Sequence, residues 1–137
     1  MPLLNSAARI AAKPFPRAIS PRAHAVVDYI IVASFVSTAL WFWGKTKRAA
    51  LAALISGGAK LAVNLLTDYP GGVKKTISFG KHRDIDFGLA AMTASLPEFL
   101  AFKHDEERKY FLVQGALITI VTELTRVPYK TSRAEQR

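Results

Sequence analysis

Four long apolar segments constrain the fold of this chain more than any other feature of its sequence. Each is close to the ~20 residues that an α-helix needs to cross the ~30 Å hydrocarbon core of a membrane. The segments cover residues 24–43, 48–69, 83–102 and 109–127. Their lengths and spacing predict four membrane-spanning helices joined by short links.

The inner parts of these segments have no polar face. A helix at the surface of a soluble protein carries a polar stripe that recurs every turn. Residues 30–44, 49–59 and 111–122 contain no Asp, Glu, Lys, Arg or His. We therefore predict an all-α, four-transmembrane-helix bundle. The competing interpretation is a soluble four-helix bundle, which the charged Lys60 and Glu98 inside the segments would suit.

The composition excludes several classes of function. Half of the residues are hydrophobic and 21% are charged, a balance too apolar for a disordered chain. Cysteine is absent, which excludes disulfides, thiolate catalysis and iron–sulfur clusters. Trp41 and Trp43 lie where an apolar segment ends, as in the aromatic belt of a membrane interface. We expect the lipid bilayer as a partner, and no nucleic acid.

The distribution of Lys and Arg predicts the orientation in the membrane, because basic residues collect on the cytoplasmic side. The two tails, the central link and the adjoining helix ends carry twelve Lys and Arg residues, against six in the other two links. We predict that both termini lie in the cytoplasm. Residues 1–17 are expected to form a basic, mostly irregular tail that also resembles a targeting segment, and residues 129–137 a basic C-terminal tail.

An internal duplication organises the chain. Residues 18–70 align with residues 76–128 at a constant offset of 58, giving thirteen identities in 53 positions without a gap. The identities include His, Asp, Thr and Pro, which shared apolar composition does not supply. We interpret the copies as two helix-pair repeats joined by the link 71–75. Each repeat holds two spans, so both enter the membrane in the same direction, which predicts a pseudo-two-fold axis along the membrane normal.

Small residues predict where helices approach closely. Ala49, Ala53 and Gly57 recur every four residues, and Gly58 and Ala62 form an adjoining stripe. Small side chains let the backbones of neighbouring membrane helices come close together. We expect both stripes to contact other helices.

A set of polar residues is expected near the cytoplasmic end of the helices. His24 and Asp28 are four residues apart and share one helix face, and the duplication repeats them as His82 and Asp86. Residues at the same level on the other two helices complete a predicted polar layer: Asn64, Thr67, Glu123 and Thr125.

Three functions fit this polar layer. The His and Asp side chains can join helices through structural hydrogen bonds or ion pairs. His24, Asp28, His82 and Asp86 could instead ligate a metal ion, or the histidines a haem. A proton or ion relay is the third alternative. We favour the structural role and predict no cofactor, with a metal or haem as the alternative.

Two charges lie deeper in the predicted spans. An unpaired charge in the middle of a membrane costs ~2.5–3.5 kcal/mol on insertion scales. With the predicted boundaries, Glu98 lies about a turn and a half deeper than Lys60, a gap that a lysine stem largely spans. We predict an intramembrane ion pair between Lys60 and Glu98, with independent snorkelling of the two side chains to the interface as the alternative.

The chain resembles the SPW-repeat family, small bacterial membrane proteins with a short motif in the first helix of each helix pair. In the second copy the motif residues are His82 and Asp86, followed by residues 94–102, Ala-Ser-Leu-Pro-Glu-Phe-Leu-Ala-Phe. The first copy and the centre of the chain contribute His24, Asp28, Trp41 to Gly44, Thr67 to Pro70 and Ile77. The resemblance implies a membrane location and no particular activity.

No motif of enzyme chemistry accompanies these features. The pairs Gly57-Gly58 and Gly71-Gly72 lack the Lys, Ser or Thr context of a phosphate-binding loop. Ser20, His24 and Asp28 on one helix turn cannot aim at opposite ring nitrogens as a catalytic triad requires. With the location that the resemblance suggests, we expect a structural or interaction role in the bacterial inner membrane, as a monomer or a homo-oligomer.

Overall fold

The structure, a computed structural model, describes residues 17–102 and 105–126. Within these ranges the chain is all-α, as predicted, and each of the four apolar segments overlaps one helix. The predicted tails, apart from Arg17, lie outside the described residues. The helices are α1 (Pro21–Trp43), α2 (Lys47–Leu66), α3 (Phe79–Phe99) and α4 (Asp105–Leu124).

Local sequence determines where α1 and α3 begin. The hydroxyls of Ser20 and Ser78 accept hydrogen bonds from the backbone N–H groups of Ala23 and Lys81, at 3.2 and 3.3 Å. Such N-caps satisfy N–H groups that have no partner within the helix. Pro21 occupies the first turn of α1, where its missing N–H is not needed.

Two isolated β-bridges, Ile19 with Thr125 and Thr67 with Ile77, connect the helix ends. Ile19 N–H donates to Leu124 O at 2.9 Å, and Ile77 N–H donates to Leu66 O at 2.8 Å. The start of α1 therefore lies beside the end of α4, and the start of α3 beside the end of α2. These four helix ends meet in one region, which we call the site end.

The helices pack in sequence order. α1 lies mainly against α2, and α3 mainly against α4, while α2 also contacts α3. The apolar core is built around Phe35, Phe111 and Ile118, with buried alanines of α2 between them. Away from the site end, close apolar packing joins the helices together with a few side-chain hydrogen bonds, such as Gln114 to Ser34 and Thr93 to Ser56.

The outer faces of the helices are apolar. Trp41 and Leu40 of α1 are 67% and 75% exposed, and Phe99 of α3 is 83% exposed. Other exposed large apolar side chains on α1, α2 and α4 are Val26, Ile30, Val36, Trp43, Leu51, Leu54, Ile55, Leu61, Leu66, Leu112, Val113, Leu117 and Ile120. Soluble proteins rarely expose apolar surface on this scale.

Two of the helices, α1 and α2, are long and apolar enough to cross a membrane. The other two have similar lengths but carry more charge. Arg83, Asp84 and Asp86 lie in the first turns of α3, and α4 begins with residues 105–109, Asp-Glu-Glu-Arg-Lys. Length and composition therefore identify two candidate spans among the four predicted.

One of the two small-residue stripes forms a helix contact. Ala49, Ala53 and Gly57 are buried, whereas Gly58 and Ala62 are exposed, so the prediction for the second stripe is wrong. A Cβ atom at Gly57 would lie 2.8 Å from Phe35 Cβ, closer than packed atoms allow, while at Gly58 it would meet nothing within 4 Å. α1 and α2 therefore approach each other closely at Gly57.

Replacing Gly57 tests this crossing. We expect Gly57→Ala to lower the free energy of unfolding in detergent by about 1–3 kcal/mol, because the rigid Phe35 Cβ cannot move without shifting α1. The matched control, Gly58→Ala, should be neutral or stabilising by up to about 1 kcal/mol, since alanine favours helix. Equal effects of the two substitutions would contradict the crossing.

Candidate functional site

Five ionisable side chains are buried together at the site end. His24, His82 and Asp86 are fully buried, and Asp28 and Lys60 are 1% exposed. We call these five residues the charged cluster. Burying charged groups is costly unless each has partners, so the hydrogen bonds of the cluster decide whether the helices can pack here.

Lys60 of α2 joins the two carboxylates. Its Nζ lies 2.8 Å from Asp28 Oδ1 and 2.5 Å from Asp86 Oδ1. The ammonium therefore bridges α1 and α3 from the helix between them. The Oδ1 atom of each carboxylate contacts Lys60, and the Oδ2 atom of each faces the two histidines.

Each histidine is fixed through Nδ1 by a threonine. His24 Nδ1 lies 2.7 Å from Thr125 Oγ1, and His82 Nδ1 lies 2.7 Å from Thr67 Oγ1. Both hydroxyls also lie 2.5–2.6 Å from the carbonyl oxygen four residues earlier in their own helix. A carbonyl only accepts, so the single hydroxyl hydrogen goes to it and the oxygen accepts from the ring. Both imidazoles are therefore protonated at Nδ1.

The two Nε2 atoms face a common centre between the carboxylates. They are 3.2 Å apart. His24 Nε2 lies 3.3 Å from Asp28 Oδ2 and 3.2 Å from Asp86 Oδ2. His82 Nε2 lies 3.0 Å and 3.1 Å from the same two atoms. Two ring nitrogens and two carboxylate oxygens from α1 and α3 thus surround one point.

Further side chains hold the carboxylates in place. Tyr69 O–H donates to Asp28 Oδ2 at 3.2 Å, and the Asn64 side-chain amide donates to the same atom at 3.1 Å. Thr122 O–H donates to Asp86 Oδ2 at 3.4 Å. Burial and the nearby Asp28 carboxylate raise the pKa of Tyr69, which therefore stays a neutral donor.

Aromatic rings cover the histidines. Phe79 packs edge-on against the His24 ring at 5.4 Å and stacks on the His82 ring at 5.8 Å between centroids. The Tyr69 ring lies 5.0 Å from His82 and stacks on Phe79. The link between α2 and α3 supplies Tyr69, so the cluster is closed on this side by the chain itself.

The structure brings together all residues of the predicted polar layer except Glu123. That side chain is exposed, on the outer face of α4. Thr122, one residue earlier, contacts the cluster instead. Neighbouring residues of a helix point in different directions, so an error of one residue replaced the buried Thr122 by the exposed Glu123 in the prediction. Tyr69 and Phe79 were also not predicted, although Phe79 directly follows the Ser78 cap.

The predicted Lys60–Glu98 ion pair is wrong. Lys60 pairs with Asp28 and Asp86, whereas Glu98 forms an exposed salt bridge with Arg108. α2 ends three residues before the predicted boundary at 69, and α3 begins four residues before the predicted 83. Glu98 therefore lies ~20 Å deeper than Lys60, at ~1.5 Å per residue, beyond the reach of a lysine side chain.

Comparisons with known proteins add no family to this description. No protein-family model matches the chain, and no curated protein and no solved structure matches it either. The resemblance to the SPW-repeat family stays a prediction, and the function has to be inferred from the site itself.

Removing one threonine hydroxyl tests how the histidines are held. We expect Thr125→Val to destabilise the protein by about 1–3 kcal/mol, because the buried Nδ1–H of His24 loses its acceptor. Thr119→Val is the matched control. Thr119 makes the same hydroxyl-to-carbonyl bond within α4, at 2.9 Å to Gly115 O, but its substitution should change stability by less than about 0.5 kcal/mol. Equal losses in unfolding measurements would count against the histidine contact.

Removing the ammonium tests the charge balance. We expect Lys60→Met to destabilise the protein by about 3–5 kcal/mol or to prevent folding, since two buried carboxylates lose their common partner. Arg108→Met breaks the exposed pair with Glu98 and should cost at most about 1 kcal/mol. Unfolding in detergent measures both. A Lys60→Met protein as stable as the Arg108→Met protein would show that the carboxylates do not need the ammonium.

Proposed function

We propose that this chain is a small integral membrane protein with a structural or interaction role, a bundle of four spans whose two helix pairs are joined by the charged cluster. The proposal rests on one observation, the reversed distribution of polarity. Lys60, Asp28 and Asp86 are buried, while large apolar side chains such as Trp41 and Leu40 are exposed. Water would favour the opposite arrangement, whereas lipid accepts an apolar surface around a polar interior.

The charges of α3 and α4 are compatible with spanning. Asp86 belongs to the charged cluster, and Arg83 Nε donates to Thr122 O of α4 at 3.2 Å. Glu98 and Arg108 pair at the opposite end of the helices, where a membrane interface would lie. The ~20-residue lengths of α3 and α4 also suit a bilayer. These contacts support four spans rather than the two that composition alone identifies.

Repeated contacts support the duplicated architecture. His24 of the first repeat bonds to Thr125 of the second repeat. The equivalent residues, at the offset of 58, make the same contact, since His82 of the second repeat bonds to Thr67 of the first. Backbone hydrogen bonds also join the two repeats in equivalent positions. Ile19 N–H of the first repeat donates to Leu124 O of the second, and Ile77 N–H of the second donates to Leu66 O of the first. Each repeat thus fixes the histidine of the other, as a pseudo-two-fold axis between the helix pairs would require. We infer that this exchange joins the two repeats into one bundle.

The site suits a structural role better than catalysis. The charged side chains of the cluster have protein partners, and Tyr69 and Phe79 cover the histidines. A substrate would have to displace these rings to reach the buried atoms. The apolar outer surface is the part of the molecule available to lipids or to other membrane proteins.

The absence of cysteine allows a direct test of topology. Lys45 and Lys75 are exposed in successive links. In bacterial cells that express single-cysteine variants, a membrane-impermeant maleimide should label Lys45→Cys from outside and Lys75→Cys only after the inner membrane is permeabilised. The positive-inside distribution gives this direction. Labelling of both sites, or of neither, in cells with an intact inner membrane would contradict the proposed arrangement, as would recovery of the protein in the soluble fraction.

A further inference from the structure

We propose that the charged cluster binds one divalent transition-metal ion, with His24 Nε2, His82 Nε2, Asp28 Oδ2 and Asp86 Oδ2 as four tetrahedral ligands. The proposal goes beyond the structural role in the membrane. It follows from the way these four atoms converge on one point from two helices. Each atom lies within 4.8 Å of all the others.

The protonation of the histidines makes the four atoms suitable ligands. Because the threonine hydroxyls accept from Nδ1–H, a neutral imidazole carries its lone pair on Nε2. Both lone pairs then point at each other and at two carboxylate oxygens, which are also acceptors. With both imidazoles neutral, four acceptor atoms face one another at the centre. A positively charged occupant, a metal ion or a proton, would make this arrangement favourable.

The distances match a tetrahedral metal site. Zinc binds histidine nitrogen and carboxylate oxygen at ~2.0–2.2 Å, so two ligands of a regular tetrahedron are ~3.3 Å apart or slightly more. Five of the six separations among the four atoms are 3.0, 3.1, 3.2, 3.2 and 3.3 Å. These separations are up to a few tenths of an ångström shorter than in such a tetrahedron, so an ion would bind with a small outward shift of the ligands. Ordinary N–H···O hydrogen bonds cover the same range of distances.

The surrounding contacts are those of an outer coordination shell. Histidine ligands of metals almost always donate the other ring N–H to an oxygen, which fixes the ring orientation. Thr125 and Thr67 accept these bonds here. Lys60 holds both Oδ1 atoms, which leaves each carboxylate one oxygen for the centre. The protein therefore orients all four ligands before any ion arrives.

The ligand set indicates the class of ion. Two imidazoles and two carboxylates in a tetrahedron suit Zn²⁺, and Co²⁺ serves as its spectroscopic substitute, whereas Mg²⁺ and Ca²⁺ prefer six or more oxygens. Four protein ligands fill a tetrahedral ion and leave no position for substrate, which is the pattern of structural zinc sites. The ion would bridge α1 and α3, one helix from each repeat.

A proton is the competing occupant. With neutral imidazoles, two carboxylates and one ammonium give the charged cluster a net charge of −1, and one proton would neutralise it. A proton on one Nε2 would form an ordinary N–H···O bond with one carboxylate oxygen, at the 3.0–3.2 Å found here. A metal ion would instead engage all four atoms at once, and metal titration distinguishes the two occupants.

The experiment uses the full-length protein, purified in detergent without a polyhistidine tag and stripped of metal by a chelator. Addition of Co²⁺ should give the intense visible absorption of a tetrahedral ion, saturating at one ion per chain, and Zn²⁺ should displace it. The unfolding temperature should rise with Zn²⁺ concentration, because the ion binds only the folded state. Weak octahedral absorption, or no binding, overturns the proposal and favours the proton, whatever the variants do.

Variants separate ligands from neighbours. Asp86→Asn should abolish stoichiometric binding, and Thr67→Val should weaken Zn²⁺ affinity about 10- to 100-fold by releasing the His82 ring. Glu123→Gln, which alters an exposed carboxylate of α4, and Thr119→Val are controls that should bind as the parent protein does. Unchanged affinity in both Asp86→Asn and Thr67→Val would overturn the proposed ligand set.

The outcome is independent of the proposed membrane role. Cysteine labelling reports topology without reference to metal. A protein with the expected labelling but no bound Co²⁺ would keep its membrane assignment and lose the metal site. A protein that binds Co²⁺ tetrahedrally but is soluble would keep the site and lose the membrane assignment.

Discussion

The two buried carboxylates of Asp28 and Asp86 are the constraint on which the rest of the structure depends. A carboxylate in an apolar interior is tolerated only with charged or hydrogen-bonding partners. Lys60 supplies the opposite charge, and Tyr69, Asn64 and Thr122 donate hydrogen bonds to the remaining oxygens. Since these partners come from α2, from α4 and from the link between α2 and α3, while the carboxylates lie on α1 and α3, they satisfy the carboxylates only in one relative position of the four helices. The charged cluster therefore specifies the arrangement that apolar packing alone would leave loosely defined.

The contacts outside the charged cluster follow from this requirement. Thr67 and Thr125 orient the rings of His82 and His24, each from the other helix pair. Tyr69 covers the site from the link and donates to Asp28. Farther from the site end the interior contains small and aromatic side chains, and the exterior is apolar. A polar centre under an apolar surface is the arrangement that the proposed membrane location would favour.

The sequence predicted the helices and most of the charged cluster, because each rests on local spacing. The four-residue separation of His24 and Asp28 places them on one face, and the repeat supplies the second pair. The partner of Lys60 was not predictable, because boundary errors of three and four residues on two helices add to more than ten ångströms in depth. Thr122 and Glu123 are adjacent residues on different faces of α4, and the prediction placed the exposed one of the two in the polar layer.

The central claim is that both imidazoles carry a proton on Nδ1, which fixes the direction of each ring. Nitrogen NMR measures this protonation directly. The chain has three histidines, so ¹⁵N-histidine labelling in detergent gives three imidazole patterns, and His104→Gln identifies the third. The account predicts that His24 and His82 both carry a proton on Nδ1, and that each loses this pattern when its threonine becomes valine. An unprotonated Nδ1 with the proton on Nε2 in either ring would contradict it.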